Sequence, residues 1–130
     1  MIDANIIISA ILFQKSIISE VLKHIVLNNK IVFSQFTIDE IKDVFKRKFP
    51  HKVNDMEKFL EKLPYELFTL NEINLKNYPN IRDPNDIPVL ANAIESKVDI
   101  LITGDKDFDE LKIKKLKIMK PSEYKELYIK

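Results

Sequence analysis

The residues of this chain that could do chemistry are acids placed where strands and helices end. The stretch 101–108, LITGDKDF, follows an apolar, β-branched run and breaks at Thr103 and Gly104, immediately before Asp105 and Asp107. Gly104 is the chain's one glycine. A run of this kind suits a strand buried on both faces of a parallel sheet, and such sheets bind ligands beyond the carboxyl ends of their strands. Near the start, Asp3 and Asn5 interrupt another apolar run. Glu40 falls about a quarter turn from the centre of a helical stripe made by Ile41, Val44 and Phe45, so it borders a buried face. Asp86 points between Val89, Leu90 and Ala93 on a helical wheel. Each acid also has a local reading: Asp105 or Asp107 as the cap of a short helix, Thr37 with Glu40 as a capping box, and Asp86 three residues after a cap at Asp83. The direction of Asp86 favours chemistry, because burying an ionised carboxylate is costly unless it is paired or binds a metal.

Composition removes several alternatives. The chain has 130 residues and no cysteine, which excludes disulfides, thiolate zinc sites and cysteine nucleophiles. With only His24 and His51, a histidine-rich metal site is not expected, and His24 reads as an ordinary helix residue. Twenty-one basic against 20 acidic side chains leave a net charge of +1, so any nucleic-acid surface must be local. No apolar run approaches the ~20 residues of a membrane span, and no charged-then-apolar leader opens the chain. A cytoplasmic location without membrane contact is the expectation.

The elements that must position these acids alternate. Residues 1–8 read as the end of a buried strand, and two or three further residues before Met1 are expected, so the first strand looks truncated. Helices are predicted over 16–28, 35–49 (capped by Ser34), 54–63 and 84–97 (capped by Asp83, with Pro84 in its first turn). Strands are predicted over 31–33, 66–70, 98–102 and 116–119, a short helix over 108–111, and a terminal helix over 123–128. Lysines 112, 114, 115, 117 and 120 form the densest basic stretch and read as solubility and edge-strand protection, with a phosphate-facing rim as the alternative. This order implies one domain over 1–130: a three-layer α/β/α sandwich around a central, mainly parallel sheet of four to five strands.

In such a fold Asp3 and Asp105 end strands at one edge, and Glu40 and Asp86 approach that edge from helices. Four carboxylates gathered there cannot all ionise without a cation. An all-oxygen donor set points to Mg²⁺ or Mn²⁺, and magnesium prefers carboxylates plus substrate phosphates, which makes a phosphate ester the natural substrate. A glycine position directly before Asp105 suits an edge with no room for a side chain. Lys15, Arg82 and Lys106 lie beside the acidic motifs in sequence and would rim a groove for a phosphate-bearing substrate.

The set Asp3-Ala4-Asn5, Glu40, Arg82-Asp83-Pro84-Asn85-Asp86 and Thr103-Gly104-Asp105-Lys106-Asp107-Phe108 resembles the PIN-domain family, and among its members the short VapC-like toxins of toxin–antitoxin systems. The resemblance implies a metal-dependent endoribonuclease whose acidic quartet is Asp3, Glu40, Asp86 and Asp105. One or two Mg²⁺ or Mn²⁺ ions would activate water for attack on an RNA phosphodiester. By the same implication Asp107 is an auxiliary acid near the metal, Asn5 and Thr103 orient ligands and waters, and Ser9 fills a small polar position. It also implies an antitoxin partner and a homodimer. The alternatives are a catalytically silent PIN fold that binds RNA or protein, and a housekeeping RNA-processing nuclease. A haloacid-dehalogenase-like phosphatase lacks the second aspartate after Asp3, and one glycine cannot build a Rossmann or P-loop phosphate loop.

Overall fold

Parallel pairing between short apolar strands, with helices on both faces, organises the molecule. The computed structural model describes residues 1–13, 17–72, 77–78, 86–109 and 111–130. The elements are α1 (Ala4–Leu12), α2 (Ile17–Asn28), β1 (Ile31–Ser34), α3 (Gln35–Lys48), a 3₁₀ turn (Pro50–Lys52), α4 (Val53–Lys62) and β2 (Tyr65–Phe68). After these come α5 (Ile87–Glu95), β3 (Ile100–Ile102), a second 3₁₀ turn (Lys106–Phe108), β4 (Lys117–Met119) and α6 (Pro121–Tyr128). The expected cap of the α5 region at Asp83, with Pro84, lies outside the described residues, as does the cap expected at Ser16.

Alternation along each strand builds the three layers. Ile31 and Phe33 of β1, Ile102 of β3 and Met119 of β4 face a core shared with α1, α2, α3, α4 and Tyr124 of α6. The intervening Val32, Leu101 and Ile118 face a second core built on Ile87, Val89, Leu90 and Ala93 of α5. Both faces are covered, which is why these strands read as continuous apolar runs. The chain is therefore an α/β fold as predicted. Its described strands form two parallel pairs, β1 with β2 and β3 with β4, rather than one continuous sheet. Ile2 adds a parallel bridge to Ile102.

The start of the chain departs from expectation. Residues Ile6, Ile7 and Ile8 are helical, not the continuation of a strand, and only Met1–Asp3 runs beside β3. The Met1 amine donates to the Ile100 carbonyl at 2.7 Å. Its burial lowers it to about 6, against the opposing charge of Asp99. Helix α1 is buried through Ala4, Ile6, Ile7, Ile8, Ala10 and Ile11, and its polar stripe is only Asn5 and Ser9, too little to reveal a helical period. Gly104 also differs from expectation: a Cβ there would meet only Ile6 Cδ1, at an ordinary 3.8 Å.

A polar latch ties the last helix down. Tyr124 is 2% exposed. Its hydroxyl shares a 2.8 Å hydrogen bond with His24 Nδ1 and accepts one from Asn29 Nδ2 at 3.0 Å. His24 is thus a structural residue of α2, as its sequence context indicates. Tyr124→Phe keeps the ring and strips both partners of their oxygen, so urea unfolding should show a loss of about 1–2 kcal/mol; an unchanged midpoint would remove the latch from the stabilising interactions.

Candidate metal centre

Asp3 and Asp105 meet because β3 runs parallel to Met1–Asp3. Asp3 N donates to the Ile102 carbonyl at 2.9 Å, and one residue later Thr103 Oγ1 donates to Asp3 Oδ2 at 2.9 Å. The same Thr103 oxygen accepts from the Asp105 amide at 3.1 Å. Thr103 is 2% exposed and joins residues a hundred positions apart in the chain. Asp3 sits at the N-cap of α1 in extended geometry, yet its side chain makes no cap bond and is given to Thr103 instead.

Asp105 is both a cap and a site residue. Its Oδ1 accepts from the Asp107 amide at 2.9 Å and holds the 3₁₀ turn that follows. One carboxylate oxygen from each of Asp86, Asp105 and Asp107 lies within 4.8 Å of the others. Asp86 stands one residue ahead of α5 with its Oδ2 buried. The three acids, half-buried and oxygen-only, fit a small hard divalent cation, which needs several carboxylate oxygens and tolerates water in its remaining positions.

Glu40 joins from α3. Ser34 is the true cap of that helix: its Oγ accepts from the Thr37 amide at 3.0 Å, and Ser34 and Thr37 are both buried. Glu40 therefore lies beyond the first turn, and the capping-box reading of Thr37 with Glu40 does not apply. Burial pushes the Glu40 carboxyl up, and the Asp3 charge pushes it further. Asp3 is raised as well, chiefly by burial and in part by the charge of Asp105, against the lowering effect of the Thr103 hydroxyl and the Ala4 amide. The site accumulates negative charge that its own hydrogen bonds do not fully compensate.

The remaining predicted residues divide. Thr103 is in the site. Asn5 is exposed on the first turn of α1, Ser9 is half-buried one turn on, and neither side chain hydrogen-bonds to the acids. Lys106 is exposed at the start of the 3₁₀ turn beside Asp105 and Asp107. Lys15 and Arg82 lie outside the described residues.

A cleft of about 190 Å³ opens beside Asp105, lined by Thr103, Phe108, Asp109, Met119, Lys120 and Glu123 among others. Lys120 Nζ pairs with Asp109 at 3.4 Å, and Glu123 accepts from the Lys120 amide. Sequence reasoning read Lys120 only as part of a basic stretch and passed over Asp109 and Glu123. The signal for Lys120 was available: β4 pairs in parallel with β3, so the residue after Met119 arrives at the same edge as Thr103, whose amide donates to the Met119 carbonyl at 3.0 Å.

The family model described as the PIN domain matches residues 1–107. No curated protein matches the chain. Among solved structures, the crystal structure of VapBC2 from Rickettsia felis, bound to a DNA fragment from their promoter, superposes with a TM-score of 0.69 at 20% identity, covering 92% of this chain and 96% of that one. At that identity the likeness shows a shared fold. With its parallel strands, its acids gathered beyond them and a family match over most of its length, the chain belongs to the PIN-domain family, whose members are generally nucleases that use divalent metal ions.

Proposed function

We propose that this chain is a metal-dependent endoribonuclease that hydrolyses RNA phosphodiester bonds with Mg²⁺ or Mn²⁺. The observation that carries this reading is the meeting of Asp86, Asp105 and Asp107 within 4.8 Å, joined to Asp3 through the Thr103 hydroxyl. Asp86, Asp105 and Asp107 would hold the ion, and Asp3 and Glu40 would border it. A bound divalent ion supplies a water of lowered pKa and neutralises charge on the phosphate.

The chain's own part is positioning. Thr103 fixes Asp3 by donating its hydroxyl proton and the Asp105 backbone by accepting its amide, so two acids from distant segments keep one geometry. Asp105 in turn orients Asp107 through its amide. Asp3 and Glu40, raised above their ordinary values, are suited to hold or accept a proton close to the reacting water. Exposed Lys106 is placed to meet a phosphate. The likeness to a VapBC complex supports a further step: the protein is the toxin of a toxin–antitoxin pair, with a cognate antitoxin; a homodimeric state is proposed with it from the family resemblance.

Asp86→Asn and Asp3→Asn should each lower Mn²⁺-dependent cleavage of a single-stranded RNA by at least about a hundredfold, with the circular dichroism spectrum retained. Wild-type rates in both variants would overturn the reading. Thr103→Val should reduce cleavage about 10–100-fold, and Thr103→Ser should restore it, because only the hydroxyl is needed.

Stability should report the same charges. Asp3 and Glu40 are raised above their ordinary values of 3.8 and 4.5, so the folded state binds their protons more tightly than the unfolded state does. Their contribution is present at pH below those values and is lost as pH rises through the folded-state values. In chelator, the melting temperature should fall across that rise. Millimolar Mg²⁺ should restore it at neutral pH, and Asp3→Asn should melt higher than wild type there without metal. A pH profile unaffected by Mg²⁺ would place no cation among these acids.

A further inference from the structure

The cleft of about 190 Å³ beside the metal centre carries one cation among its described lining residues, Lys120, together with the carboxylates of Asp105, Asp109 and Glu123. The basic stretch that contains Lys120 is divided by the fold. Lys112, Lys114, Lys115 and Lys117 are exposed, and Lys117 begins β4 at the end away from the acids, its amide donating to the Asp99 carbonyl at 2.9 Å. Lys120 is half-buried and follows β4 at the acid edge, where the Thr103 amide donates to the Met119 carbonyl. Its backbone is fixed by Glu123, which accepts from the Lys120 amide at 3.3 Å. Its ammonium stands 3.4 Å from each oxygen of Asp109, the residue that follows the 3₁₀ turn capped by Asp105.

We propose that this cleft is a subsite for one backbone phosphate of the RNA, next along the strand from the phosphate at the metal centre, and that Lys120 is the residue that binds it. The subsite rests on the nuclease reading for its choice of substrate. A strand reaching the ion must cross an edge that carries Asp3, Glu40, Asp86, Asp105 and Asp107, and the ion offsets that charge only where it sits. The neighbouring phosphate needs a cation of its own, and the Asp109 pair ties Lys120 to the turn that carries Asp107. A phosphate can take the place of Asp109. The two side chains of the pair are 38% and 44% exposed, and 3.4 Å is long beside the roughly 2.7–2.9 Å of a strong ammonium–carboxylate hydrogen bond, so the pair is weak. An ammonium has three donors, and Asp109 is the one anion it meets among the described residues. Size agrees with this occupant. Sites for whole small molecules begin at about 300 Å³, so a cleft of about 190 Å³ takes one group of a longer chain. Asp109 keeps the ammonium at the edge until the phosphate arrives.

The test reads binding of a short single-stranded RNA by fluorescence anisotropy between about 50 and 200 mM salt, with Ca²⁺ in place of Mg²⁺ and a gel to show that the RNA stays uncut. Lys120→Ala should weaken binding about three- to tenfold at about 100 mM salt and lower the slope of log K against log salt by about 0.7, one phosphate contact on a single strand. Lys120→Arg should keep both values, and Lys117→Ala, at the other end of β4, should leave the slope unchanged. Asp109→Asn should tighten binding about twofold or more, and that gain should vanish when Lys120 is also alanine. An unchanged slope in Lys120→Ala would overturn the proposal, as would a wild-type chain that binds no RNA. Equal weakening by Lys120→Ala and Asp109→Asn would also overturn it, since a merely structural ion pair responds that way to loss of either partner. Cleavage is scored apart. Mn²⁺-dependent cleavage by the wild type with an unchanged Lys120→Ala slope removes the subsite and leaves the nuclease reading, while RNA bound through Lys120 and never cut keeps the subsite and removes the nuclease reading.

Discussion

Repulsion among carboxylates is the constraint around which the site is arranged. Asp3, Glu40, Asp86, Asp105 and Asp107 come from four separate segments, and nothing but the fold holds them together. The protein spends two buried hydroxyls on the problem. Thr103 gives its proton to Asp3 and a lone pair to the Asp105 amide, while Ser34 anchors the helix that carries Glu40. These bonds orient the acids, yet Asp3 and Glu40 remain raised, chiefly by burial and in smaller part by a neighbouring carboxylate, so orientation is achieved without removing the cost of their charge. An arrangement that stays electrostatically unfavourable in the absence of a cation is what a metal centre requires, because binding energy then comes from relief of that repulsion.

The frame that imposes this arrangement is small. Three hydrogen bonds join Met1–Asp3 to β3, and three residue pairs join β3 to β4. Parallel pairing sends all three segments toward the same edge, which is how Asp3, Thr103 and Lys120 arrive together. The strands can be this short because both faces are covered: Leu101 is fully buried against α5 while Ile102 packs on the other core. Alternate side chains of one three-residue strand thus tie the two helical layers together.

Asp105 shows that a local role and a functional role are compatible. It caps the 3₁₀ turn with one oxygen, and that bond fixes the Asp107 backbone so that the Asp107 carboxylate returns to the group. Glu40 is the opposite case. Its apparent capping partner, Thr37, is occupied by Ser34, so the local explanation disappears once the helix start is known.

The sequence by itself determined the class of fold and most of the order of its elements, and it singled out Asp3, Glu40, Asp86, Asp105 and Asp107 as candidates, because periodicity, strand-end position and donor chemistry are properties of short segments. Family membership was legible for the same reason, in motifs whose order and spacing survive without a structure. It misread Ile6–Ile8, since a helix with only Asn5 and Ser9 off its buried faces shows little polar stripe and β-branched residues mimic a strand. It assigned Gly104 a steric duty that 3.8 Å to Ile6 does not impose. Only the tertiary structure brought carboxylate oxygens of Asp86, Asp105 and Asp107 within 4.8 Å of one another, bridged Asp3 to Asp105 through Thr103, and set Lys120 beside the cleft. These are facts of parallel register between segments up to a hundred residues apart, and no local pattern encodes a register before the strands have met.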